Sequence, residues 1–220
     1  MIFTLMSSRT FTASTRYLEN DRHLGAFIRK HGPITHRRKH SSDVFQELAE
    51  AIIYQQLSGK AADTICKRFV ALFRGNPTSL KLRRAGTFPT PKDVLKMKEQ
   101  RLRSAGLSRQ KIGYLKDLAK RCTDGTIEPK KFSKMTDEEI IEHVTAVKGI
   151  GEWTAHIFLM FTLGRPDVLP TGDLGIQKGF QKLFKLRTRP TPERMLRLAK
   201  GWSGHRTTAS FYLWRFIDST

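Results

Sequence analysis

Phe45, Leu48, Ala49, Ile52 and Ile53 fall at i, i+3, i+4, i+7 and i+8 of one segment, and this spacing restricts the fold more than anything else in the chain. It puts all five side chains on one stripe of an α-helix, whereas a strand would scatter them over both faces. The same period returns almost throughout. It lines up Leu18, Leu24, Phe27 and Ile28 on a helix over 16–30. It does the same for Ala62, Ile65, Cys66, Phe69 and Phe73 over 60–74, and for Ile112, Leu115, Ala119 and Cys122 over 108–122. Shorter helices are expected near 91–97 and 99–105, and others over 137–147, 152–163, 174–186, 192–202 and 206–217. Asp43 and Thr136 stand where N-caps belong, and Gly106 where a C-terminal glycine does. Residues 31–42 and 75–91 read as loops. No β-hairpin pattern is present, so the expectation is an all-α protein of about ten helices.

The 220 residues suffice for two packed lobes. Residues 1–40 read as an N-terminal segment and first helix that packs with the C-terminal lobe. Residues 41–140 read as a helical lobe, and 141–220 as a helix–turn–helix, a loop and the C-terminal helices.

Charge narrows the partners. Lys and Arg number 40 against 20 Asp and Glu, a net +20 spread through the helices and not gathered in a tail. A folded body this basic points to a polyanion, nucleic acid or an anionic membrane surface; the alternative is a surface charged for solubility. The two cysteines, Cys66 and Cys122, sit on apolar helix faces and read as buried free thiols. Two thiols cannot hold a four-cysteine cluster, and neither CxxC nor HExxH occurs. No apolar run approaches the length of a membrane span. Residues 1–17 lack acids and are rich in Ser, Thr and Arg; a frayed terminus is expected over a transit peptide, and Met6 could be the start.

Between two predicted helices lies Lys148-Gly149-Ile150-Gly151. Glycines at i and i+2 permit a sharp turn and leave its N–H groups uncovered, while the next helix adds its positive end. Such a turn suits a phosphate, or a monovalent cation on its carbonyls, with Ile150 as the inward anchor; it could also be a plain helix connection. Asp173 follows a Gly/Pro-punctuated loop and precedes the helix LGIQKGF, where it reads equally as an N-cap.

KGIGEWTA followed by LPTGD and a helix resembles the helix-hairpin-helix (HhH-GPD) superfamily of DNA glycosylases. The segments IIYQQLSGKAA, LRSAGLSRQKIGYLKDLA and WSGHRTTASFYLWR are similar to its alkylation-repair branch, the 3-methyladenine DNA glycosylase II type. The resemblance covers residues 40–216 and implies the two-lobed helical fold without the amino-terminal sheet domain of larger relatives. It implies a monofunctional hydrolase acting on alkylated purines in double-stranded DNA by base flipping. A monomer without cofactor, nucleoid or nuclear and neither secreted nor membrane-bound, is expected.

Residue by residue, the resemblance makes Asp173 the catalytic acid and Lys148, Gly149, Ile150 and Gly151 the backbone-gripping hairpin. Gln56 or Leu57 becomes the plug of the vacated stack, and Ser58 a minor-groove probe. Taken singly, Leu57 could instead be buried and Gln56 a cap. Strand-cleaving relatives carry Lys where Trp153 stands, so no Schiff base is expected; Trp153 becomes a base-pocket wall or a core residue. His205 takes the place of a stacking aromatic, Gly204 that of a common Pro, and Gly172 that of a second Asp in some relatives. His205 and Gly204 leave room for the alternative of a non-enzymatic reader of abasic or distorted DNA.

Overall fold

The computed structural model describes residues 8–34, 43–73 and 88–219. Every regular element among them is helical: α1 (Ser8–Leu18), α2 (Gly25–His31), α3 (Val44–Tyr54), α4 (Gly59–Ala71), α5 (Pro91–Lys96), α6 (Glu99–Ser104), α7 (Arg109–Thr123), α8 (Asp137–Thr145), α9 (Glu152–Phe161), α10 (Leu174–Leu183), α11 (Pro192–Leu198) and α12 (Arg206–Asp218). Single 3-10 turns at Pro129–Lys134 and Ala199–Trp202 complete the set. Much of the two predicted loops, 35–42 and 74–87, lies outside the described residues.

The chain forms two compact units. One is Ser41–Gly151; the other joins Met1–His40 to Glu152–Thr220. The boundary thus follows Gly151, whereas the sequence reading divides the chain at residue 140.

In the first unit α7 is the hub, packed against α3, α5 and α6. Its Ile112, Leu115, Leu118 and Ala119 are buried, as the period requires. Phe69, Phe73, Phe88 and Phe45 form a ring-against-ring cluster with centroids 5.3–6.1 Å apart. Asp43 caps α3 by accepting from the Phe45 and Gln46 amides, and Thr136 with Glu139 forms a capping box on α8. Cys66 is buried and Cys122 half-buried, both free. Burial, then nearby carboxylates, pushes the thiols up to about 11 and about 12 respectively, so neither is a thiolate near neutrality.

In the second unit α10 packs on α12, with α1 and α2 closing one side. Leu18, Leu24, Ile28, Ile176, Phe180, Trp202, Tyr212 and Leu213 are its fully buried centre. The helix expected over 16–30 is instead two helices. Asp21 accepts from the His23 and Leu24 amides at 2.9 and 2.8 Å, a side-chain turn that competes with the helical ladder at residues 19–24. The four apolar positions read from the spacing are nonetheless all buried.

Trp202 lies against Phe180 and Phe184, with ring centroids 5.3 and 6.0 Å away, and is 1% exposed. Trp202→Ala leaves a cavity that these stacked rings cannot close. We expect it to lower unfolding free energy by about 3–5 kcal/mol, measured by urea denaturation; a loss under about 1 kcal/mol would contradict this packing.

Candidate functional site

The hairpin is built on residues far from it in sequence. Val147 and Ile150 are buried, and the Ile150 amide donates to the Val147 carbonyl at 3.1 Å to close the turn. Gly149 has φ +83°, and a Cβ there would stand 2.1 Å from the Tyr114 ring, so only glycine fits. The Lys148 amide donates to Asp117 Oδ2 at 2.9 Å, and Arg121 Nε donates to the same oxygen at 3.1 Å. Burial would raise the Asp117 pKa, but the Lys148 amide and the Arg121 hydrogen bond and charge outweigh it and hold the carboxyl below its usual range. The Gly149 carbonyl accepts from Gln55 Nε2 at 2.8 Å.

Two hairpin amides, those of Gly149 and Gly151, take no partner among the described residues. Gly151 has open space where a side chain would be, and Lys148 is exposed. Bare amides beside an ammonium are an anion cradle. A monovalent cation would have to be held by the hairpin's carbonyls, one of which, that of Gly149, already accepts from Gln55. Among the described residues no cluster of three or more His, Cys, Asp or Glu could hold a metal.

The turn between α3 and α4 comes next. Helix α3 stops at Tyr54, because Gln55 takes ψ 135° and Gln56 the left-handed φ of +56°. Lys111 Nζ donates to the Ile53 and Gln55 carbonyls at 2.7 and 2.8 Å, tying off the helix end; burial lowers its pKa. Gln56 and Ser58 are exposed, and Leu57 is 39% exposed, so Leu57 is not a core residue. The N-cap of α4 is Ser58, not Gln56, and its hydroxyl makes no capping bond.

Asp173 belongs to the other unit. The loop before it closes when the Asp173 amide donates to the Pro170 carbonyl and Gln177 Nε2 to the Thr171 carbonyl, both at 2.9 Å. As the N-cap of α10, Asp173 Oδ1 accepts from the Ile176 amide at 2.8 Å, so the capping role is real. The same oxygen accepts from Trp214 Nε1 at 2.9 Å, and Oδ2 accepts from Trp153 Nε1 at 2.7 Å. A Cβ at Gly175 would stand 2.9 Å from Trp214 and 3.0 Å from Asp173 Oδ1, so a side chain there would push this pair apart. Trp153 is 48% exposed and therefore not a core residue. Trp214 is half-buried, near-parallel to Phe161 at 6.1 Å.

His205 is held by a different set. Its Nδ1 is 2.9 Å from Ser14 Oγ, and its ring lies on Tyr17 with centroids 4.2 Å apart. Tyr17 is 51% exposed and donates to the Gly201 carbonyl. Trp214, Gln55, Asp117 and Tyr17 are thus site neighbours that sequence reading missed. Trp214 lies within a segment already singled out, yet no linear spacing marks it as a partner of a residue 41 positions away.

Residues 49–204 match the family model described as HhH-GPD superfamily base excision DNA repair protein. A DNA-3-methyladenine glycosylase 1 of Schizosaccharomyces pombe is 34% identical over 198 residues, 90% of this chain and 82% of its own. The solved S. pombe 3-methyladenine DNA glycosylase in complex with abasic DNA superposes with TM-score 0.76 at 32% identity, covering 94% of this chain and 97% of that one. A DNA-3-methyladenine glycosidase from Bacillus halodurans superposes at 0.78 with 31% identity, covering 98% and 94%.

The two hairpin glycines should respond differently to a methyl group. Gly149→Ala combines a left-handed backbone with a collision on Tyr114, and we expect it to lose about 2 kcal/mol or more in thermal or urea unfolding. Gly151→Ala adds its methyl to open space and should stay within about 0.5 kcal/mol of the parent. Equal stabilities for the two variants would refute this account of the turn.

Proposed function

The chain belongs to the HhH-GPD superfamily of base excision DNA repair proteins, and we propose that it is a monofunctional DNA glycosylase for alkylated purines in double-stranded DNA. The observation that carries the reading is the Asp173 carboxylate, fixed through both oxygens by the α10 amide of Ile176 and the indoles of Trp214 and Trp153.

Three donors occupy three of about four lone-pair directions, leaving Oδ2 room for one further contact. A purine alkylated on a ring nitrogen is cationic. When the C1′–N bond breaks, the base takes the bonding pair and leaves neutral, and positive charge passes to the sugar. A carboxylate already in place stabilises that oxocarbenium-like state without reorganising. Water then adds to C1′ and loses its proton to solvent, leaving an abasic site. The base must leave the stack first, which gives the exposed turn of Gln56, Leu57 and Ser58 its use as plug and groove probe. The bare amides of Gly149 and Gly151, with Lys148, would take the phosphate backbone, and the excess of basic residues fits a protein that works on DNA.

Trp153 bears on where the reaction stops. Its indole N–H donates only and has no lone pair for attack on C1′, so the position where strand-cleaving relatives carry Lys cannot form a Schiff base. Its exposed ring supports a wall for the base, and His205 with Tyr17 offers a second aromatic surface.

Asp173→Asn should keep the fold and duplex affinity but lower the release of 3-methyladenine from methylated DNA by at least about a hundredfold. Normal excision by this variant would sink the assignment. Release of no base by the unaltered protein would instead favour a non-enzymatic reader of damaged DNA. Borohydride added during turnover should trap no covalent protein–DNA adduct; a trapped adduct would show a lyase step.

A further inference from the structure

Gln56 is one of only two non-glycine residues with positive φ among the described residues, and it sits at the tip of the exposed turn between α3 and α4. A left-handed conformation of this kind costs on the order of 1 kcal/mol and persists only where neighbours hold it. Two contacts do so here, both on Gln55. Lys111 Nζ holds the Gln55 carbonyl at 2.8 Å, and the Gln55 side chain donates to the Gly149 carbonyl at 2.8 Å. Gly149 in turn is pressed on Tyr114, and the Lys148 amide is held by Asp117. Tyr114, Asp117 and Lys111 all project from α7.

The hairpin therefore has anchors of its own on α7, whereas the neighbouring turn reaches the hairpin through the Gln55 amide. We propose that Gln55 is a positioning residue: it locks the Gln56–Leu57 turn to the hairpin, so that the gap of a displaced nucleotide is filled at a fixed distance from the gripped phosphate. This rests on the reading of that turn as the plug. The chemistry requires a donor long enough to reach the Gly149 carbonyl. Glutamate would set acceptor against acceptor, and leucine would leave the carbonyl without its partner; lysine keeps both reach and N–H.

The test uses DNA that carries no cleavable base: a duplex with a tetrahydrofuran abasic analogue flanked by 2-aminopurine, whose fluorescence reports unstacking when the turn enters. Affinity for undamaged duplex is measured alongside by anisotropy, and folding by thermal melting. Gln55→Leu should weaken insertion by roughly five- to tenfold, the worth of one neutral hydrogen bond, while undamaged-duplex affinity stays within about twofold. Gln55→Lys should recover most of the signal. Parental insertion by Gln55→Leu, a parallel loss of undamaged-duplex affinity, or failure of Gln55→Lys to recover would each overturn the proposal. If the unaltered protein gives no 2-aminopurine response, the plug reading falls and takes this inference with it. A normal response that Gln55→Leu leaves unchanged removes the inference alone.

Discussion

The Asp173 carboxylate ties together three helices of its unit. It caps α10, receives an indole from α9 and another from α12, and ends a loop closed on Pro170. Each donor comes from a different helix, so the position of the acid is over-determined: moving it means breaking three charge-assisted hydrogen bonds at once. Preorganisation of this kind is what the proposed reaction asks of a single carboxylate, since the base that would leave is already cationic. A pair of acids would be needed where the leaving group had to be protonated as well.

The other unit solves a different problem, that of holding irregular backbone still. Neither the hairpin nor the α3–α4 turn has a core of its own. Both borrow rigidity from α7, which supplies Tyr114 and Asp117 to one and Lys111 to the other. Placing the irregular, exposed backbone on loops and its supports on a long helix with a fully buried stripe separates these segments from the core that steadies them. Gln55 is the exception, since it joins one loop to the other without passing through the helix.

Helix type and burial were legible because they follow from spacing alone: the apolar stripes of α3, α4 and α7 are buried almost residue for residue. Helix ends were less so. Asp21 breaks one predicted helix by a side-chain turn, and Gln56 ends another with a backbone conformation that composition does not announce. At the site, Asp173, the hairpin glycines and the exposed turn could be named from motif order. The bonds between them could not, because Trp214 with Asp173, Gln55 with Gly149 and Lys148 with Asp117 are separated by 41, 94 and 31 positions. Long-range pairs of single side chains leave no periodic trace.

Asp173 was also hard to separate from an ordinary cap, and the distribution of acids explains why. Asp21, Asp43, Asp93, Asp117, Asp124, Glu139 and Asp167 likewise accept from backbone amides at turns or helix starts. Among the described residues these carboxylates turn to backbone amides near and far in sequence, and Asp117 and Asp167 each take an arginine as well. The basic residues outnumber the acids by 20 whatever those acids bond to, and that excess suits a polyanion. The same habit, an acid turned toward N–H groups, produces both the caps and the carboxylate proposed to react. What distinguishes Asp173 is that two of its donors are indoles from other helices, one with nearly half its surface open to solvent. Indoles placed this way combine apolar faces with N–H groups that fix the acid beside them.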